Sequence, residues 1–311
     1  MRRRHAAFAA LLSGCALATA ATIATAVRGG EPAASPVVVE PGSVVFRSGE
    51  RLAVARGSGG RRTVTGLRCE RVHHAAARGL CVTRGDGFAA GYEAVVLDGK
   101  LRAGREIGLA GIPSRARVSP DGRLGSVTMF VTGHSYAETG AFSTQTTLLD
   151  LERGEPIADL EDFTVLRDGR HVASVDRNFW GVTFARDGDS FYATMATGGV
   201  PYLIEGSVKG RSARVVRAGV ECPSLSPDGT RIAFKSRTDG GPAAWRPAVL
   251  DLTTRRVTRL AEPRGIDDQI EWLDDGTVAY GLDGAVWRLR ADGRGGPARL
   301  LAGASSPAAV R

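Results

Sequence analysis

The chain has 311 residues, of which 43% are hydrophobic, and it contains 41 glycines. This hydrophobic fraction supports a packed core and excludes a disordered or collagen-like chain. The formal net charge is +8, but four arginines (Arg2, Arg3, Arg4 and Arg28) precede residue 29, and the rest of the chain carries only +4. Because the other arginines are scattered and only three lysines are present, no nucleic-acid partner is predicted.

The first 27 residues are typical of an export segment, because Arg2–Arg4 precede an uncharged stretch long enough to cross a bilayer. Cleavage after Ala26 would release the protein, and retention would leave a membrane anchor at residues 1–27. Lipidation at Cys15 is a third alternative, since Leu12-Ser-Gly-Cys15 resembles a lipobox, but the apolar run continues well past Cys15. Each alternative places the body outside the cytoplasm. Residues 28–41, rich in small residues and proline, predict a linker.

The next runs predict strands at 44–46, 51–55 and 63–67, followed by a four-stranded unit from 69 to 110. Within that unit Cys69 and Cys81 are equidistant from residue 75. Facing positions of a hairpin are close enough to bridge, so a disulfide is predicted, worth about 3 kcal/mol. His73 and His74 are adjacent on a strand and point to opposite faces, which favours structural or surface roles over a zinc site.

A hairpin-like segment recurs four times, with Asp-Gly at 121, 187, 228 and 275. In each copy an extended run enters, Asp-Gly makes a tight turn, and an alternating apolar run leaves. Two further strand-like runs, at 248–252 and 256–260, follow the clearest copy, Glu221–Phe234. Four strands in 40–47 residues is the spacing of a propeller blade.

The last residues, Ser306–Val310, resemble the first strand of a blade and would complete the incomplete blade at 44–67. The predicted fold class is therefore all-β, a six-bladed β-propeller with four-stranded blades over residues 42–311. Its ring is closed by the N- and C-terminal strands, which removes exposed sheet edges. Cys222 has no predicted partner and is expected to be a small buried apolar residue.

The segment Ser226-Pro-Asp-Gly-Thr-Arg-Ile-Ala-Phe234 resembles the repeat of the TolB-like, WD-repeat-like propellers of bacterial envelopes. Ser114–Val118, Trp180–Phe184 and Asp267–Asp275 resemble exported proteins labelled TolB-like, whose role is unsettled. The resemblance covers about residues 40–311 and implies a binding function in the cell envelope. It does not extend to the N-terminal domain of TolB, which weakens any transfer of the Tol–Pal partnership.

Two motifs could indicate catalysis or metal binding. Gly133-His-Ser-Tyr-Ala137 resembles a nucleophile elbow, but an elbow needs a following helix, and the run after Phe142 predicts a strand. A polar loop is therefore predicted there. The acidic run from Asp267 to Asp275 lacks the alternate ligand spacing of a calcium loop, and turn chemistry explains its Asp-Asp-Gly end. No catalytic residue, metal or cofactor is predicted.

Residues that enter the first strand of each blade converge at one mouth of the central channel. Mixed charges there suit a polar ligand or peptide; the alternative is a water-filled channel whose polar groups pair with each other. We predict an extracytoplasmic scaffold that binds an envelope protein or ligand, the alternative being a hydrolase or lactonase-type propeller with its site at the same mouth. The predicted site residues are Glu70, Arg71, Ser114, Arg115, Asn178, Trp180 (as a stacking surface), Glu221, Asp268 and Gln269.

Overall fold

The structure is a computed structural model that describes residues 37–57, 61–85, 91–133, 136, 142–238 and 245–311. The predicted export segment, Cys15 and residues 28–36 of the predicted linker lie outside these residues. Val37 and Val39 pack against the first and second blades, and the compact unit begins at Val37. No helix among the described residues has the length and apolar character needed to cross a membrane.

The described residues form six sheets, numbered here as blades in chain order. Blade 1 contains β1 (Ser43–Ser48), β2 (Arg51–Arg56), β3 (Arg62–Arg68) and the last strand, β26 (Ser305–Ala309). Blade 2 contains β4 (Arg71–Ala75), β5 (Arg78–Arg84), β6 (Tyr92–Leu97) and β7 (Ala103–Leu109). Blade 3 contains β8 (Ile112–Val118), β9 (Leu124–Thr132), β10 (Ser143–Asp150) and β11 (Glu155–Asp159).

Blade 4 contains β14 (Asn178–Phe184), β15 (Ser190–Thr197), β16 (Val200–Ser207) and β17 (Ser212–Ala218), and it also holds β12 (Thr164–Arg167) and β13 (Arg170–His171). Blade 5 contains β18 (Glu221–Leu225), β19 (Arg231–Arg237), β20 (Trp245–Asp251) and β21 (Val257–Arg259). Blade 6 contains β22 (Glu271–Asp274), β23 (Thr277–Leu282), β24 (Ala285–Arg290) and β25 (Ala298–Ala302). A 3₁₀ helix, Leu160–Asp162, precedes β12.

The innermost strands, β26, β4, β8, β14, β18 and β22, contact each other in sequence and form a closed ring. The ring closure is confirmed, because β26 pairs antiparallel with β1 through Val44 opposite Ala309 and Val45 opposite Ala308. The six-bladed, all-β prediction is therefore confirmed.

The core is divided among the blades, with one apolar cluster at each interface between neighbouring blades. Between blades 5 and 6, for example, Trp272 and Tyr280 are fully buried against Ile266 and Val249. A further aromatic cluster around Trp180 and Trp245 lies near the start of the inner strands. Each blade packs against a neighbouring blade on both of its faces. This explains why the strands carry so many consecutive apolar residues.

The repeated Ser-Pro-Asp-Gly motif closes a hairpin through its own side chains. In the first copy the Ser119 hydroxyl donates to Asp121 Oδ1 (2.5 Å), and the Leu124 amide donates to Ser119 Oγ (2.9 Å). Gly122 has φ +73°, which glycine adopts without strain. Three of the four loops span five residues between strands, and their glycines, Gly122, Gly188 and Gly229, have the positive φ predicted from Asp-Gly. The fourth, Asp275-Gly276, is a two-residue turn.

The predicted disulfide between Cys69 and Cys81 is confirmed, with a Cα–Cα distance of 5.4 Å. The predicted register is wrong by about three residues, because β4 and β5 turn at Ala76-Ala77 and Cys81 faces Val72. Cys69 lies just before β4, and the bridge therefore joins the blade entry to the second strand. Cys222 is free and buried, as predicted.

The sequence did not predict β12 and β13, which explain the 66-residue spacing between the first two Asp-Gly copies. This hairpin pairs with the outer strand of blade 4, where β12 runs parallel to β17 from Thr164–Ser212 to Leu166–Arg214. Val165 of β12 and Phe163, which precedes β12, are both buried. The insertion covers the edge of blade 4 that the other blades expose.

Candidate functional site

The entry mouth is defined here as the end of the channel where the inner strands begin. Three of the predicted residues, Arg71, Ser114 and Arg115, contact each other there. Arg71 Nε donates to the Ser114 carbonyl (2.5 Å), and Arg115 donates to the same oxygen (2.9 Å). Glu70 pairs with Arg47 (3.4 Å). The sequence therefore predicted a convergence of residues that the fold does bring together.

Asp267 stands at the centre of the entry mouth. Its carboxylate accepts from Lys235 Nζ (2.7 Å) and Arg115 (3.3 Å), and its carbonyl accepts from both as well. Burial opposes ionisation of Asp267, but the charges of Lys235 and Arg115 outweigh it and hold its pKa below the usual range. The Asp267 side chain is still 65% exposed, so it presents an ionised carboxylate to solvent.

Aromatic rings surround the buried cations of the entry mouth. The Lys235 ammonium is fully buried and lies 4.5 Å from the Trp245 ring centre and 5.6 Å from that of Tyr136. The Tyr136 hydroxyl contacts Ser114 Oγ, and burial raises the pKa of this hydroxyl above its ordinary value. Among the described residues Asp267 is the one anionic partner of Lys235, and cation–π contact of this kind helps to hold such a buried charge.

Glu221 pairs with Lys235 across β18 and β19 and is almost fully buried. Its Oε1 accepts from Arg237 Nε (2.6 Å) and Trp245 Nε1 (3.0 Å). Its Oε2 has no hydrogen-bond partner in the described part of the chain. A buried carboxylate oxygen without a donor is costly, so Glu221 holds unused acceptor capacity.

Trp180 and Asn178 lie beside this cluster. Trp180 is buried and stacks on Tyr136 with ring centres 4.8 Å apart, so it packs under the mouth and presents no free face to solvent. Asn178 accepts from the Thr144 amide (2.8 Å) and donates to the Asp176 carbonyl (3.1 Å). Asn178, Trp180 and Arg237 all line a further cavity of about 270 Å³.

Asp268 and Gln269 lead from the mouth into the channel. Asp268 Oδ2 accepts from the amides of Gly281 (3.0 Å) and Ser306 (2.9 Å), which ties blade 6 to the closing strand. Gln269 in its favoured amide orientation accepts from Arg117. Both side chains are thus occupied by structural bonds, and a small cavity of about 20 Å³ remains between them and Arg71.

A buried network crosses the middle of the channel and links five blades. Arg117 from blade 3 contacts Glu271 of blade 6 and donates to Ser224 of blade 5 (3.1 Å). Glu271 Oε1 accepts from Arg311 (2.9 Å), which follows β26 of blade 1. Burial opposes ionisation of Glu271, but Arg117 outweighs it and keeps the Glu271 pKa far below its usual range.

His73 contributes blade 2 to this network. The Val118 amide donates to His73 Nδ1 (3.1 Å), and His73 Nε2 lies 2.8 Å from Arg117 Nη1 and 3.4 Å from Glu271 Oε2. Burial, reinforced by the charge of Arg117, lowers the His73 pKa to about 4. The imidazole is therefore neutral at pH 7. His74 does not join the network: neither of its ring nitrogens has a hydrogen-bond partner among the described residues.

The other end of the channel, where the inner strands finish, is called here the exit mouth. It holds a cavity of about 410 Å³. Its walls combine polar and apolar side chains at the ends of the inner strands. They include His73, His74, Arg117, Val118, Asp121, Phe184, Arg186, Leu225, Glu271 and Arg311.

Comparison with known proteins identifies the fold. The chain aligns over 93% of its length with TolB from Acinetobacter baumannii, covering 70% of that chain, at 18% identity and a TM-score of 0.56. It aligns over 85% with a TolB structure from Agrobacterium tumefaciens, covering 90% of that chain, at 18% identity and a TM-score of 0.54. The fold is TolB-like. No family model matches the sequence, and no curated protein does.

The same architecture occurs in an enzyme. A Mycobacterium tuberculosis puromycin-hydrolyzing peptidase aligns over 86% of this TolB-like chain at 19% identity and a TM-score of 0.54, but the match covers only 45% of the peptidase. The likeness therefore concerns the propeller fold and leaves more than half of the peptidase unmatched.

The elbow-like motif of this TolB-like propeller joins two strands. It follows β9, and the next described element is the strand β10. Of its five residues only Gly133 and Tyr136 are described, so Ser135 and His134 lie outside the described residues. Among all the residues that the structure describes, no cluster of three or more His, Cys, Asp or Glu side chains is placed to hold a metal ion.

Sequence reasoning missed several residues of the entry mouth of this TolB-like ring. Lys235 and Arg237 lie on β19, the second strand of blade 5, and Tyr136 lies on a loop, whereas the sequence argument places only residues that enter first strands. The available signals were the rarity of lysine, with three in the chain, and the aromatic residue inside the Gly133–Ala137 motif. Asp267 was noted only as part of an acidic run.

Proposed function

We propose that this protein is an extracytoplasmic binding module whose entry mouth holds a peptide segment of an envelope protein. The observation that carries the proposal is the arrangement around Asp267, where one solvent-facing carboxylate lies between two buried cations. Such a rim offers both signs of charge within a few ångströms. The export-type N-terminus and the TolB-like fold support an envelope location.

The hydrogen-bonding capacity of the mouth also favours a peptide. Glu221 Oε2 is an acceptor, and Arg47 Nε and Arg115 Nε are donors, that have no partner in the described part of the chain. A peptide backbone supplies donors and acceptors alternately, so it can satisfy both kinds of group. The buried network of Arg117 and Glu271 lies beyond the mouth, which confines the partner to the entry face.

Site-specific photo-crosslinking tests this proposal in intact cells of the producing bacterium. A photoreactive residue at Glu70, a half-exposed rim residue whose replacement leaves Asp267 in place, should give a defined adduct with an envelope protein. The same residue at Asp292, an exposed partner of Arg290 on blade 6, should not. Once the adduct has identified the partner, its binding to the purified protein can be measured. Arg71→Gln should raise the dissociation constant of that complex about tenfold, as loss of a charged interface group typically does.

Thermal unfolding of each variant separates loss of binding from loss of folding. Identical adducts from positions 70 and 292, or full binding by a folded Arg71→Gln protein, would place the partner elsewhere. A second outcome would favour the enzyme alternative. If the purified protein hydrolyses esters, lactones or peptides and Asp267→Asn abolishes that turnover, the mouth is catalytic.

A further inference from the structure

The exit-mouth cavity is large and chemically distinct from the entry mouth. Its volume of about 410 Å³ falls within the range of about 300–1,000 Å³ that is typical of small-molecule sites. Val118, Phe184 and Leu225 supply an apolar wall. The site lies on the far side of the Arg117–Glu271 network from Asp267, so a ligand here would not compete with a partner at the entry mouth.

The charged side chains that line this cavity, Arg117, Arg186, Arg311, Asp121 and Glu271, sum to one positive charge. Arg117 and Arg311 share the single carboxylate of Glu271. Asp121 accepts hydrogen bonds from its own turn, from the Ser119 hydroxyl (2.5 Å) and the Arg123 amide (3.1 Å). Its charge offsets that of Arg186 only in the sum. The cavity therefore favours an anion over a neutral or cationic ligand.

Arg186 is the cation best placed to meet such an anion. It is exposed and lies in the cavity wall. Its Nε donates to the Pro227 carbonyl (3.0 Å), which fixes the guanidinium at the rim. Over the described residues, its two terminal nitrogens have no protein acceptor. A guanidinium held in this way presents a pair of parallel donors that matches a carboxylate.

His74 provides a second, independent sign of an unfilled site. It lies in the cavity wall and is only 1% exposed, yet neither ring nitrogen has a hydrogen-bond partner among the described residues. Buried polar groups are normally satisfied. Burial lowers the His74 pKa to about 4, so the ring is neutral at pH 7 and offers one donor and one acceptor.

We propose that the exit-mouth cavity binds a small monocarboxylate with a short apolar chain. The carboxylate would pair with the Arg186 guanidinium, His74 would supply a neutral hydrogen-bonding group, and the chain would lie against Phe184 and Leu225. The apolar wall distinguishes this ligand from inorganic phosphate, which shares the charge but gains nothing from apolar contact.

Isothermal titration calorimetry of the purified protein at pH 7 tests the assignment with butyrate, acetate, inorganic phosphate and neutral butyramide. Butyrate should bind saturably, and butyramide at least tenfold more weakly. Arg186→Gln should weaken butyrate binding at least tenfold, and His74→Phe, which keeps an aromatic ring but removes both nitrogens, should also weaken it. Arg288→Gln, an exposed arginine on the outside of blade 6, should have no effect.

The opposing outcomes are distinct. Absence of saturable butyrate binding, equal binding of butyrate and butyramide, or unchanged binding by Arg186→Gln overturns the site. Phosphate binding as tight as that of butyrate overturns the carboxylate assignment. Asp267→Asn should leave butyrate affinity unchanged, so this result stands or falls separately from the entry-mouth proposal.

Discussion

The turn between β4 and β5 contains two alanines in left-handed backbone conformations. Ala76 has φ +45° and Ala77 φ +57°, which costs a residue with a Cβ about 1–2 kcal/mol relative to an ordinary conformation. Ala77→Gly should therefore raise the free energy of unfolding by about 1 kcal/mol in urea denaturation. Ala103→Gly, on the exposed strand β7, should lower it instead. A destabilised Ala77→Gly protein would contradict the strain argument.

Glu161, just before β12, should make stability depend on pH. Burial, opposed by hydrogen bonds from the Thr146 amide and reinforced by Asp159 and Asp162, raises its pKa to about 8. Between the unfolded pKa near 4.5 and the folded value, the native state holds a proton that the unfolded state has lost. Stability should therefore fall as pH rises through this window, by at most about 1.4 kcal/mol per pH unit.

Urea denaturation from pH 5 to pH 8 measures this slope. Glu161→Gln should flatten it, whereas Glu152→Gln, an exposed carboxylate, should leave it unchanged. Equal slopes for wild type and Glu161→Gln would mean that Glu161 ionises normally in the folded protein.

At the scale of the element, the β12–β13 hairpin is held by its buried face. Val165 is fully buried against the cluster between blades 3 and 4, while the neighbouring Leu166 is 40% exposed. Val165→Ala should lower the free energy of unfolding by about 1–3 kcal/mol, and Leu166→Ala by much less, as measured by chemical denaturation. Equal effects at both positions would show that the hairpin does not pack as described.

Repeated elements could be predicted from the sequence, and the inserted one could not. The Ser226–Gly229 turn can be recognised in the sequence, because its side chains close the loop locally. Asp228 accepts hydrogen bonds from the Ser226 hydroxyl (2.5 Å) and the Thr230 amide (2.9 Å). The β12–β13 hairpin has no counterpart in other blades. Its parallel pairing with β17 depends on long-range packing of Phe163 and Val165, which no local pattern encodes.

At the scale of the whole molecule, the closing strand should stabilise every blade. Deleting residues 306–311 removes most of β26, including the buried Ala308, and the Arg311 bond to Glu271. The truncated protein should unfold at a markedly lower temperature in a single transition, since an open ring exposes the edge of β1. Arg311→Gln serves as the control for loss of the ion pair alone. Loss of hydrogen-exchange protection confined to blade 1 would contradict a ring-wide effect.

The candidate site was predictable only where it follows from ring geometry. Arg71, Arg115 and Glu221 could be placed because inner strands start at the same end of any propeller. Lys235 reaches the mouth from a second strand, and Tyr136 from a loop. Their positions depend on side-chain length and on packing between distant blades. The exit-mouth cavity likewise arises from the ends of six strands and has no sequence motif.

The pairing of β26 with β1 also fixes an order of events in time. Most strands pair with a strand that lies close by in the sequence, whereas Val44 of β1 pairs with Ala309 at the far end of the propeller sequence. Hairpins close in microseconds, and contacts between distant residues form later. During synthesis, the edge of β1 opposite β2 therefore remains unpaired until Ser305–Ala309 has emerged. The interval before closure is when this protein is most exposed to aggregation and to proteases.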